Sequence, residues 1–199
     1  MTPRPYQSAA IDAITEASKH YRKNLAVLPT GAGKTVIFSF IAQHFQPERT
    51  LILAHRNELI DQAIAKLHAA TGIVADKEKA EFRASFDAPV VVASIQTMTS
   101  RLERWPSDHF AHIICDEAHH SISPSWLNVL NHFKDANILG VTATPDRGDK
   151  KNLGQFYDNV AYEVDLFDLV RNGYLSPIKV FSAPLEIDLG SVKQIAGDY

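Results

Sequence analysis

The sequence predicts an α/β fold whose sheet is mainly parallel and flanked by helices. Two patterns carry that prediction. Short, continuously apolar runs such as Leu51-Ile52-Leu53-Ala54 and Val90-Val91-Val92-Ala93 alternate with stretches of helical period. The runs do not alternate apolar with polar residues, so each strand is buried on both faces and needs helices above and below it. At 199 residues, 45% hydrophobic and 22% charged, the chain suits one domain with its own core.

Taken in order, Gln7 to Lys23 places Ala10, Ile14, Ala17 and Tyr21 at helical spacing and predicts an amphipathic helix. Leu25-Ala26-Val27-Leu28 follows as a strand, stopped by Pro29 and Gly31. From Lys34, the positions Ile37, Phe40, Ile41 and Phe45 predict a second helix, and Leu51–Ala54 is the next strand. Asn57 then caps a helix carrying Ile60, Ile64 and Leu67. The charged, poorly periodic segment Asp76 to Ala88 reads as a surface excursion. Beyond it come a strand at Val90–Ala93, a helix from Ile95 to Arg104 and a strand at Ile113–Cys115. A helix around Trp126, Leu130 and Phe133 leads to a strand at Ile138–Val141, with the two aromatics read as core. A shorter unit closes the pattern: a helix near Leu153, a strand near Val160, a helix at Leu166–Val170 and a strand at Ile178–Phe181. One domain is expected over residues 1–183, with 184–199 as a linker or connection.

Composition excludes several classes. No apolar run approaches the ~18–20 residues needed to span a bilayer, and the first residues lack the apolar centre of a signal peptide. The lone Cys115 has no internal disulfide partner, so a cytoplasmic, reducing compartment without membrane association is expected. The net charge of −3 weakens the case for a tight standalone nucleic-acid binder. It leaves room for a domain that grips phosphates locally.

Between the first strand and the second helix lies Pro29-Thr30-Gly31-Ala32-Gly33-Lys34-Thr35. Its glycines let successive backbone N–H groups turn inward, and the helix that starts there adds its positive dipole end, which together suit phosphate. Lys34 has the reach for terminal phosphates, and Thr35 has a hydroxyl for Mg²⁺. Thr30, Gly31, Ala32 and Gly33 complete the cradle. The usual loop has glycine five residues before its second glycine, where this chain has Leu28.

About 80 residues on, the apolar run Ile113-Ile114-Cys115 delivers Asp116 and Glu117 to a strand end. Ligands of open α/β sheets bind at that edge. Asp116 suits a water-mediated hold on Mg²⁺, and Glu117 suits the orientation and deprotonation of an attacking water. His119 and His120, with His109 and His112 nearby, lack the convergent ligand spacing of a zinc site.

Asp116-Glu117-Ala118-His119 resembles the DEAH box of superfamily 2 helicases and translocases. Arg4-Pro5-Tyr6-Gln7 is similar to that superfamily's adenine-reading element, Ala54-His55-Arg56-Asn57-Glu58-Leu59 to its motif Ia, Ser94-Ile95-Gln96-Thr97 to motif Ib, and Thr142-Ala143-Thr144-Pro145 to motif III. The resemblance covers Arg4 to Pro145, and it favours the DNA-acting branch related to restriction-enzyme motor subunits. It implies a three-layer RecA-like phosphate-loop NTPase domain that uses ATP and Mg²⁺. Lys34, Asp116, Glu117 and His119 take catalytic roles by this resemblance, with Thr35 and Asp116 at the metal and Arg4 and Gln7 at the base. Arg56, Gln96, Thr97, Thr142 and Thr144 would touch nucleic acid, DNA rather than RNA, or relay the nucleotide state. Capping is the simpler role for Asn57 and Thr97.

The superfamily motor has two RecA-like domains, and the second carries an arginine finger in a Gln-x-x-Gly-Arg-x-x-Arg element. After Pro145 this chain has only Arg147 and Arg171, neither in such an element. The resemblance therefore implies a first motor domain that needs a second RecA-like partner and hydrolyses ATP poorly by itself. An ATP-gated binding module without unwinding is the alternative reading of the same motifs. A small-molecule kinase would need an arginine-bearing lid and an acceptor pocket, and the sequence offers neither.

Overall fold

The computed structural model describes residues 1–54, 58–143, 150–177 and residue 179. Seven strands form one sheet in the order β3-β4-β2-β5-β6-β1-β7, every neighbouring pair parallel. The strands are β1 (Lys23–Val27), β2 (Thr50–Ala54), β3 (Asp76–Glu78), β4 (Val90–Ser94), β5 (His112–Asp116), β6 (Asn137–Thr142) and β7 (Asn159–Glu163). The helices are α1 (Pro5–Ala17), α2 (Lys34–His44), α3 (Glu58–Thr71), α4 (Ile95–Ser100), α5 (Pro124–His132), α6 (Lys150–Phe156) and α7 (Leu166–Arg171).

The continuous apolar runs do serve both faces of the sheet. Ala26, Ile52, Val92, Ile114 and Val141 pack with Ala10 and Ile14 of α1, Ile37 and Ile41 of α2 and Ile60 of α3. Their strand neighbours Leu25, Leu53, Val91, Ile113 and Cys115 pack with Met98 of α4, Trp126 and Val129 of α5 and Leu153 of α6. Successive side chains point to opposite faces, so one run feeds two cores. Trp126 and Phe133 are fully buried, as expected, and so is Cys115, whose thiol burial pushes far above its ordinary pKa.

Three expectations need correcting. The first helix ends at Ala17 instead of Lys23, and Tyr21 is 46% exposed. The polar run Ser18-Lys19-His20 offers no apolar side to bury, and Pro5 at the first helical position shifts the start two residues earlier than expected. The helix from Ile95 ends at Ser100, and a separate 3₁₀ turn covers Leu102–Arg104. The supposed surface excursion contains β3, an edge strand whose Glu78 is fully buried. Glu78 accepts from Arg101 Nη1 at 2.5 Å, Arg104 Nη1 at 2.7 Å and the Ala84 N–H at 3.0 Å. Two partners about 25 residues away satisfy this carboxylate, and hydropathy cannot register such a pairing.

Arg56, Asn57 and Thr144, the strand expected at Ile178–Phe181 and residues 184–199 fall outside the described residues, apart from Lys179. Among the described residues no helix is long and apolar enough to cross a membrane. Because all seven strands run the same way, their C-terminal ends gather on one edge. That edge receives Val27, Ala54, Ser94, Asp116 and Thr142, from which the motif-bearing segments emerge.

Candidate active site

The loop after β1 is fixed from below. Leu28 N–H donates to Thr142 O at 2.8 Å, Tyr6 Oη to Ala32 O at 2.8 Å, and Gln7 Nε2 to the same carbonyl at 3.1 Å. Gly31 at φ +87° and Gly33 at φ +73° occupy left-handed backbone that side chains resist. A Cβ on Gly33 would lie 2.6 Å from Gln7 Nε2. The first intrahelical bond of α2 is Val36 N–H to Gly33 O at 2.9 Å. The N–H groups of Lys34 and Thr35 precede it at the open, positive end of the helix.

Gln7 is 5% exposed, and its Oε1 accepts the Arg4 N–H at 2.9 Å. One amide hydrogen and one oxygen lone pair remain, a donor–acceptor edge of the kind that suits an adenine. Arg4 stays exposed while its Nη1 donates to Tyr174 O at 3.0 Å.

From β5, Asp116 and Glu117 arrive opposite Lys34. Lys34 Nζ stands 3.4 Å from Glu117 Oε1. Glu117 has φ +56° and ψ +57°, a left-handed conformation costly for a residue with a side chain. Its N–H donates to Asp116 Oδ1 at 3.1 Å. Burial is the main force raising the Asp116 pKa, and the adjacent Glu117 charge adds to it, while Lys34 opposes both. His119 Nδ1 lies 3.3 Å from Thr142 Oγ1 and 3.5 Å from Glu117 Oε2. Lys34, Glu117, His119 and Thr142 therefore form one chain of contacts across the sheet edge.

Gln96 and Thr97 lie on the same edge at the start of α4. The cap is Ser94, whose Oγ accepts the Thr97 N–H at 3.2 Å and donates to Thr97 Oγ1 at 2.9 Å. Thr97 thus sits inside the first turn, not at the cap. Gln96 lines a groove of about 290 Å³ with Thr99, Ser100, His120, Ser123 and Ser125. Arg56 and Thr144 lie outside the described residues.

The residues present suit a nucleotide with Mg²⁺. A helix N-terminus and a lysine offer anion contacts, and two adjacent carboxylates, one strained towards its neutral form, call for a cation. Among the described residues no cluster of three or more His, Cys, Asp or Glu could hold a metal through protein ligands alone. Water and phosphate oxygens would supply the remainder, the usual way of holding this ion.

A buried support that no local pattern signals lies beneath Glu117. Tyr157 Oη donates to Ser121 Oγ at 2.9 Å, and Ser121 Oγ donates to Ala118 O at 2.6 Å, bracing the turn that comes after Glu117. Gly140 makes room for it, since a Cβ there would collide with the Tyr157 hydroxyl. Tyr157 reads locally as the apolar end of a helix, and no short-range pattern could reveal the contact.

The family described as type III restriction enzyme, res subunit, matches residues 1–147. The chain belongs to this family. It is an N-terminal RecA-like motor domain of the superfamily 2 helicase type. It is 35% identical to the Saccharomyces cerevisiae protein named "Putative ATP-dependent helicase IRC3", over 98% of this chain and 31% of that protein. It is 29% identical to the type I restriction enzyme EcoAI endonuclease subunit of Escherichia coli, over 94% of this chain and 25% of that protein. The chain therefore spans about a third or less of the length of these relatives. The Pyrococcus furiosus Hef helicase domain shares the fold, with a TM-score of 0.69 and 24% identity over 89% of this chain and 41% of that one.

Proposed function

We propose that this res-type domain is the ATP-binding half of an ATP-dependent nucleic acid helicase or translocase that acts on DNA. The observation that carries the reading is the approach of Lys34 Nζ to Glu117 Oε1, 3.4 Å across a sheet edge that also holds Asp116, His119 and Thr142. Lys34, with Thr30 to Thr35 around it, binds the polyphosphate. Gln7 and Arg4 orient the base. Thr35 and Asp116 would hold Mg²⁺, partly through water, and that ion would neutralise phosphate charge. Glu117 takes a proton from the water it orients. His119 ties Glu117 to Thr142, so that the residues after Thr142, with Thr144, register what the nucleotide site holds.

Residues 1–183 form the RecA-like unit in this reading, and 184–199 lead towards a second one. Gln96 and Thr97, at the strand ends, would hold nucleic-acid phosphates without reading bases, and Arg56 takes the same role in this reading. The restriction-enzyme relationship favours DNA over RNA. Charge agrees with local gripping, because a chain at −3 has no basic average to spread over a whole surface.

The arginine finger of related phosphate-loop systems contributes ~10³–10⁵ in rate, so the 199-residue chain binds Mg·ATP weakly and turns it over slowly. Calorimetric titration with Mg·ATP, followed by a phosphate-release assay with and without DNA, tests this. Strong DNA-stimulated turnover by the chain alone would overturn the need for a second domain. In a two-domain form, Glu117→Gln abolishes DNA-dependent function; retention of it would favour the ATP-gated module.

A further inference from the structure

Beyond α7 the chain makes a tight turn that none of the motifs includes. Gly173 has φ +73°, and both Tyr174 N–H and Leu175 N–H donate to Leu169 O, at 2.8 and 3.1 Å. The turn is thereby locked onto the end of the helix. Its location is unexpected, because 141 residues separate Tyr174 from Gly33 and yet the turn rests on the phosphate loop. Leu175 Cδ2 would stand 3.2 Å from a Cβ on Gly31. The Tyr174 ring packs on Tyr6 at 4.8 Å between centroids, and Tyr6 itself donates to Ala32 O. The Tyr174 carbonyl holds Arg4 Nη1 at 3.0 Å.

We propose that the Tyr174–Leu175 turn is a wall of the nucleotide site that binds the purine base and sets base selectivity. Phosphate contacts are the same for every nucleoside triphosphate, so selectivity needs a surface beside the loop on the side of Gln7 and Arg4. Half-buried Tyr174 and Leu175 bridge the two parts between them, Tyr174 meeting Tyr6 and Arg4 and Leu175 meeting Gly31. An aromatic ring and an aliphatic branch offer a base stacking and dispersion contact. The guanidinium of Arg4, held at one nitrogen by Tyr174, presents a planar cation that also stacks on aromatic rings. Gln7 keeps a donor and an acceptor for the base edge. The turn thus supplies the face of a subsite whose edge Gln7 supplies. This inference rests on the nucleotide reading above.

Binding of ATP, GTP and inorganic triphosphate to the 199-residue chain, measured by calorimetry in Mg²⁺, tests it. Tyr174→Ala and Leu175→Ala should each weaken ATP about tenfold, the order of one lost base–aromatic stack. Affinity for inorganic triphosphate should stay within about twofold, and the preference for ATP over GTP should shrink. Tyr174→Phe, which keeps the ring and folds with least disturbance, should retain ATP affinity. Unchanged ATP binding in both alanine variants, or an equal loss for triphosphate, would overturn the base-wall role. A wild-type chain that binds neither ATP nor triphosphate would overturn the nucleotide reading itself, and this inference with it.

Discussion

Gly33 and Gln7 share one small volume: a Cβ on Gly33 would reach within 2.6 Å of Gln7 Nε2, the atom that donates to Ala32 O. The start of α1 and the glycine loop after β1 are thereby set against each other with no slack. Gly33 also sits at φ +73°. Gly33→Ala therefore meets both a steric and a conformational obstacle. It should destabilise the chain by about 1–3 kcal/mol and abolish the thermal stabilisation given by Mg·ATP. Melting curves with and without nucleotide measure both effects.

Asp116 gives a pH prediction of definite sign. Its pKa is raised in the folded chain, mainly by burial. A carboxyl raised on folding favours the native state where it is protonated and loses that contribution as pH climbs through the folded pKa. Asp116→Asn should therefore raise the Tm of the ligand-free chain at pH 7. The gain over wild type should fade as pH drops through the folded-state pKa and then the ordinary aspartate pKa. Mg²⁺-dependent nucleotide binding should be lost at the same time. A Tm series across pH, with and without Mg·ATP, checks both halves.

Glu78 predicts a large effect at a position far from any motif. It is fully buried, and Arg101, Arg104 and Ala84 N–H converge on it. Glu78→Gln should cost about 1–3 kcal/mol, because two partly buried guanidinium groups lose their counter-charge. Urea unfolding should show the loss as a lower midpoint at an unchanged m-value.

Gly140 predicts a coupled pair. Gly140→Ala drives a methyl into the Tyr157 hydroxyl and towards Ala118 Cβ at 2.8 Å, and overpacking of this kind costs about 1–3 kcal/mol. Tyr157→Leu removes both atoms that clash first, the hydroxyl oxygen and the ring carbon Cζ, at the expense of the bond to Ser121. The double variant should be more stable than the sum of the single losses, which a double-mutant cycle by denaturant unfolding would reveal.

The legible part of this protein lay in contiguous residues. The run from Thr30 to Thr35 and the Asp116–Glu117 pair are local patterns, so they could be read without a fold, and the apolar runs foretold a sheet buried on both faces. Helix ends were less legible: the first helix stops at Ala17 because Ser18, Lys19 and His20 have no apolar side to bury, and periodicity alone runs past that point.

The sequence by itself determined that a glycine loop with Lys34 and Thr35 joins an apolar strand to a helix, and which residue types wait at the strand ends. Only the tertiary structure decided that Lys34 meets Glu117, 83 residues away. It also decided that Glu78 is a buried anchor in a segment that reads as surface, and that Tyr157 braces the turn after Glu117. The turn at Tyr174–Leu175 closing on Gly31 belongs to the same class. The physical reason is common to all four. Local period and propensity are short-range quantities, whereas a parallel sheet collects its C-terminal ends on one edge whatever their separation along the chain.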